Sequence, residues 1–103
     1  ETVYLTMKST HNPRIEIHYC RKCRFILRAN WLAQELLSTF SNKVGELALI
    51  PSDGGIFTVY CDEVEIFSRK NKGRFPESKE LKQLIIQLHL LQLLIFLIFL
   101  MIL

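Results

Sequence analysis

The chain has no second C-x-x-C motif, no apolar run near its start and, after Lys82, no charged residue of either sign. Each absence excludes a class of protein. With three cysteines, an odd count, and a single C-x-x-C, a four-cysteine zinc site cannot form. Cys61 or His18 would have to complete one, so no metal and no other cofactor is expected. Glu1 to Asn12 is polar and offers no apolar stretch to act as a secretory signal. It reads as a flexible leader, with Met7 a candidate native start and His11 simply exposed, and a cytoplasmic, reducing setting is expected. The net charge of +3 is mild, and the basic residues are not interleaved with aromatics as in a nucleic-acid stacking platform. No nucleic-acid partner is expected. At 103 residues there is mass for one core.

The richest stretch lies between Ile15 and Leu37. Arg14-Ile15-Glu16-Ile17-His18-Tyr19 alternates, so Ile15, Ile17 and Tyr19 are expected to face a core and Arg14, Glu16 and His18 the solvent. From Phe25 the period becomes helical: Phe25, Ala29, Leu32, Leu36 and Phe40 form a stripe, which Leu27, Trp31 and Leu37 widen. Between strand and helix sits Cys20-Arg21-Lys22-Cys23. The expectation is that this motif occupies the strand end and the helix's first turn, where unpaired amides and the helix dipole favour a thiolate. Arg21, Lys22 and Arg24 are unfavourable in a helix's first turn, yet cations beside a cysteine lower its pKa. The plainer alternative is a solvated basic face with the cysteines as small buried hydrophobes.

After a turn at Ser41-Asn42-Lys43 and a break at Gly45, Glu46 to Ile50 reads as a strand ended by Pro51. Strand, helix, strand makes a βαβ unit with parallel strands and a right-handed crossover. Pro51 to Gly55 is a loop, and Ile56 to Cys61 with Val64 to Arg69 forms a hairpin. Its turn, Asp62-Glu63, places glutamate where glycine would be easier, at a cost on the order of 1 kcal/mol. Asn71 to Arg74 is a polar turn, and Pro76-Glu77-Ser78 marks a second helix starting near Glu77.

With its motif, Trp31-Leu32-Ala33-Gln34-Glu35-Leu36-Leu37, Gly54-Gly55-Ile56-Phe57 and Phe75-Pro76-Glu77 leading into Leu81-Lys82-Gln83-Leu84, the chain resembles bacterial, cysteine-containing members of the SelT/SelW/SelH group, the selenoprotein W-like (Rdx) family. The resemblance covers about residues 13–84. It implies a thioredoxin-like two-layer α/β sandwich, ordered β-α-β-β-β-α, with a mixed four-stranded sheet and both helices on one face. Some members carry selenocysteine at the second motif position, which maps to Cys23, whereas the first cysteine attacks in ordinary thioredoxins, which maps to Cys20. The resemblance also implies that Ser52 to Phe57 flanks the thiols where other thioredoxin folds have a cis-proline. Gly54 and Gly55 there either admit a partner's backbone or merely shape a turn. Thr58 departs from the acidic residue that members often carry after the Phe.

The resemblance stops in mid-helix. From Leu84 to Leu103 only Gln87, His89 and Gln92 interrupt apolar residues, and 20 helical residues would span about 30 Å, the hydrocarbon thickness of a bilayer. Residues 85–103 therefore read as an extension of the 13–84 domain: a membrane anchor, a self-association segment or a non-native terminus.

Together the residues and the resemblance imply thiol-disulfide exchange with protein thiols or disulfides, glutathione being a candidate. Cys20 and Cys23 would react, Arg21, Lys22 and His18 would support them, and Gly54, Gly55 and Phe57 would meet the partner. The alternative is a redox-sensing interaction module without turnover, membrane-tethered in one version.

Overall fold

The computed structural model describes residues 12–103; the leader, Met7 and His11 fall at positions outside those described. The centre of the sheet is β1 (Arg14–Cys20), whose alternation buries Ile15 and Ile17 completely and Tyr19 almost so. It pairs in parallel with β2 (Glu46–Ser52) and antiparallel with β3 (Phe57–Cys61). A fourth strand, β4 (Val64–Ser68), pairs antiparallel with β3, giving a mixed sheet of order β2-β1-β3-β4. Three helices, α1 (Ile26–Thr39), α2 (Arg69–Lys72) and α3 (Ser78–Ile102), complete the α/β domain.

One cluster joins sheet and helices. Ile15, Ile17, Phe57, Val59, Cys61 and Phe67 pack with Ala29, Leu32, Ala33 and Leu36 of α1 and Leu81 and Ile85 of α3. Both long helices pack into this one cluster, α1 against β1 and β2 and α3 against β4. They are also tied directly: Glu35 Oε1 accepts from Ser78 Oγ at 3.1 Å and from Lys82 Nζ at 3.2 Å. Those bonds, Lys82 first, hold the Glu35 carboxyl below its usual range. Glu16, His18 and Tyr60, the other residues of the alternation, line a shallow groove.

Several boundaries differ from the sequence expectation. Pro51 lies inside β2, which runs to Ser52, because β2 is an edge strand and can lack an outward N–H. Helix α1 begins at Ile26, after a turn in which Arg24 takes a left-handed φ of 59°. Cys23 and the basic residues therefore precede the helix and do not occupy its first turn. Only the stripe through Ala29, Leu32, Ala33 and Leu36 is buried; Leu27 and Trp31, expected to widen it, are 76% and 55% exposed. Strand β4 stops at Ser68, whose Oγ accepts from the Asn71 N–H, and Arg69–Lys72 forms one helical turn ended by Gly73 at φ 74°.

The hairpin turn is the left-handed pair that a two-residue connection demands, with Asp62 at φ 49° and Glu63 at φ 69°. Asp62 has a second task, since its Oδ1 accepts from the Arg14 N–H at 2.9 Å and anchors the start of β1. Among the described residues Glu63 has no hydrogen-bonding partner of that kind. Glu63→Gly is expected to stabilise the fold by up to about 1 kcal/mol, read as a higher urea midpoint at unchanged m-value. Beyond the hairpin a register slip between Val59 and Tyr60 marks a bulge in β4.

Helix α3 opens with a capping box between Glu77 and Glu80, and Arg74 grips Glu80 through two hydrogen bonds of 2.9 and 2.7 Å. Leu81 and Ile85 are buried in the domain, and Leu84 and Leu88 pack against its core. Past them the helix continues uncovered. Among the described residues it is the one helix long and apolar enough to cross a membrane.

Candidate functional site

The site is assembled where β1 ends. The Cys20 N–H donates to the Ile56 carbonyl at 2.9 Å and the Arg21 N–H to the Ser52 carbonyl at 3.0 Å, so the 52–56 loop lies alongside the motif. The turn then closes on itself, with Arg24 N–H donating to Arg21 O at 3.1 Å and Phe25 N–H to Cys20 O at 3.2 Å. Gly54 and Gly55 stand at φ 76° and 71°, and a Cβ on either would meet nothing within 4 Å. The loop requires glycine there for its left-handed backbone, not for close packing. Among the described residues no peptide bond is cis.

Cys20 is buried, 1% exposed, and Cys23 is exposed. The two thiols sit close together, and each is the largest influence on the other: Cys23 lowers the pKa of Cys20, and Cys20 raises that of Cys23. Burial opposes ionisation at each sulfur. Backbone amides of Gly55, Cys23 and Lys22 favour the anion at Cys20, while Arg69 and the Gly55 amide favour it at Cys23. The two thiols are coupled, so that ionisation is easier at Cys20 and harder at Cys23 than for an isolated thiol. Exposure runs the other way, since the sulfur open to a partner is Cys23.

Arg69 is the residue that sequence reasoning missed. Its guanidinium carbon lies 5.3 Å from the Phe25 ring centroid and 4.9 Å from that of Phe75, and its Nη1 donates to the Gly55 carbonyl at 3.3 Å. The one-turn helix α2 puts it there. Ser68 as cap and Gly73 as left-handed stop were the available signals, hidden by extending the strand to Arg69. Arg28 sits over the outer side of the same group, 4.0 Å from the Phe75 centroid.

The expected supporting residues are distributed differently. Arg21 is exposed and its Nε bonds Asp53 Oδ1 at 3.1 Å, while Lys22 contributes its backbone amide. His18 belongs to the groove, with Nε2 2.8 Å from Glu16 Oε1 and its ring edge-to-face with Tyr60 at 4.9 Å. It is not among the groups acting on either thiol. Phe57, expected to meet a partner, is wholly buried; it stands edge-to-face with Phe25 and Phe75 and supports the ring platform from below. Cys61 is a core thiol pushed up to about 11 by burial and then by Asp62, so it stays protonated. Among the described residues no three His, Cys, Asp or Glu side chains gather as metal ligands would.

Because the Arg69 charge favours a thiolate at Cys23, removing it shifts that ionisation upward. The pH–rate profile of thiol alkylation is expected to rise at higher pH in Arg69→Met than in the parent, with Arg69→Lys in between. Identical profiles would remove Arg69 from the site.

The Rdx family matches residues 14–87. Among solved structures, a selenoprotein W-related protein from Vibrio cholerae is 48% identical, with 77% of this chain and 99% of that one covered at a TM-score of 0.75. A protein from Bordetella parapertussis is likewise 48% identical, covering 75% and 98% of the two chains at a TM-score of 0.73. No curated protein matches the chain. The mixed sheet, the paired thiols at its centre and a match over most of the length agree: the chain belongs to the Rdx family, a thioredoxin-like redox family that includes selenoprotein W-related proteins.

Proposed function

We propose that this protein is a thiol-disulfide exchange protein of the cytoplasm in which Cys23 attacks and Cys20 resolves. The observation that carries this reading is the pairing of an exposed thiol, Cys23, with a buried one, Cys20, beside it. The Cys23 thiolate attacks a sulfur of a partner's disulfide, the partner's S–S bond breaks, and one partner thiolate leaves. Cys20, after loss of its proton, attacks the Cys23 sulfur, closes the Cys20–Cys23 disulfide and releases the second partner thiolate. Two electrons pass from the dithiol to the partner, whose thiolates take up two protons. Glutathione, two molecules per cycle, would return the pair to the dithiol.

Gly54 and Gly55 flank the reacting sulfurs and give a partner's backbone an unobstructed approach. The exposure of Leu27 and Trp31, on the helix that follows the motif, favours a second reading: a redox-sensing module that docks proteins without turnover. The test is a redox titration in glutathione buffers with mass-spectrometric readout of all three cysteines. A reversible Cys20–Cys23 disulfide within the cytosolic range, with Cys61 unpaired, is the expected result. Thiols that never pair would overturn the exchange reading, and pairing without reduction of any disulfide substrate would favour the sensor.

A further inference from the structure

The uncovered part of α3 carries an inference that does not depend on the thiols. We infer that the segment Leu90–Leu103 inserts into a lipid bilayer and holds the redox domain against the membrane surface.

The choice of lipid follows from which faces of the helix are bare. Leu90, Leu91, Leu93, Ile95, Phe96 and Phe99 are all 39% to 59% exposed, and at helical spacing they are distributed around the full circumference. A second copy of the helix would bury one stripe and leave the remainder in water. Hydrocarbon covers every side at once. No charge follows Lys82, and the backbone polar groups are satisfied within the helix, as a lipid-exposed segment requires. Arg74, Lys79 and Lys82 precede the segment, the distribution found on the cytoplasmic side of an anchor. The family match ends at position 87, so the inserting segment is an addition to the Rdx domain.

The packing of the domain sets the geometry. Leu81 and Ile85 are buried in the core and Leu84 and Leu88 pack on it, so the first ten or so residues of α3 are already occupied. One uninterrupted helix runs from these core residues into the exposed segment, so it enters the bilayer without a linker, with His89 and Gln92 at its point of entry and the domain seated at the headgroups.

Flotation of the full chain with phosphatidylglycerol-containing vesicles tests this. The chain is expected to float, and to remain bound through high salt and alkaline carbonate. Leu94→Arg combined with Ile98→Arg, at two positions outside the domain core, is expected to lower partitioning on the order of a hundredfold or more while leaving the fold intact by circular dichroism. A parent chain that stays in the aqueous fraction, as a monomer or as a helix-paired oligomer, would overturn the inference. So would a double variant that floats like the parent. Glutathione-coupled exchange measured on the same samples separates the two conclusions, since loss of exchange with retained flotation would sink only the redox reading.

Discussion

Replacing Cys23 with serine is expected to lower disulfide reduction by on the order of a thousandfold or more, because the exposed sulfur is the one a partner can reach. Cys20→Ser is expected to behave differently. Attack by Cys23 still proceeds, but the mixed disulfide has no resolving thiol and should accumulate as a covalent complex visible without reductant. The pH dependence has a defined sign: the pKa of Cys23, the attacking sulfur, is raised by its neighbour Cys20 and by burial, so exchange should rise at higher pH than for free cysteine and then level off. If instead Cys23→Ser traps partners and Cys20→Ser is inert, the roles are reversed and burial has not decided access.

Phe57→Ala should have the largest effect on stability among substitutions near the site. The side chain is completely buried, lies next to β1 in the sheet and meets Phe25 at 6.5 Å and Phe75 at 5.4 Å between ring centroids. Truncation of a buried phenylalanine costs about 3–5 kcal/mol, from a total that is typically about 5–15 kcal/mol for a native domain. The domain would be left close to its unfolding threshold at 37 °C. Equilibrium urea unfolding gives the number. Because Phe25 and Phe75 carry Arg69, the variant should also loosen that cation and shift the thiol pH profile in the same direction as Arg69→Met. A Phe57→Leu change, which keeps most of the volume, should restore much of the stability and less of the profile.

Much of this was legible in the residues. The alternation of Ile15, Ile17 and Tyr19 placed the central strand, since a period of two has one solution when one face is buried. Parallel pairing of β1 with β2 followed from a helix-length connection. What escaped was set by tertiary context. Nothing local to Arg24 announces a left-handed turn, so Cys23 was placed in the helix's first turn, although the helix starts only at Ile26. Pro51 reads as a strand breaker unless the strand is known to be at an edge. Leu27 and Trp31 continue the apolar period of α1, and only the width of the contact with the sheet leaves them outside. At the site, Arg21 and Lys22 drew attention because they adjoin the cysteines in sequence. Arg69, from the far side of the hairpin, is the cation whose charge acts on Cys23. Adjacency along the chain is a poor guide to electrostatics when a turn points side chains outward.

The continuity of α3 has a consequence for how the protein is made. Leu81 and Ile85 complete the core, yet they share one helix with the uncovered apolar residues that follow within a few positions. At a synthesis rate of about 5–20 residues per second, the core closes only when most of that apolar stretch has been or is being translated. Docking of Leu81 and Ile85 is therefore tied to the fate of the apolar residues that share their helix. A nascent chain held by a targeting factor at Leu90 onward would keep Leu81 and Ile85 from docking. Release of the segment would then be the step that lets the thiol pair assume its final environment.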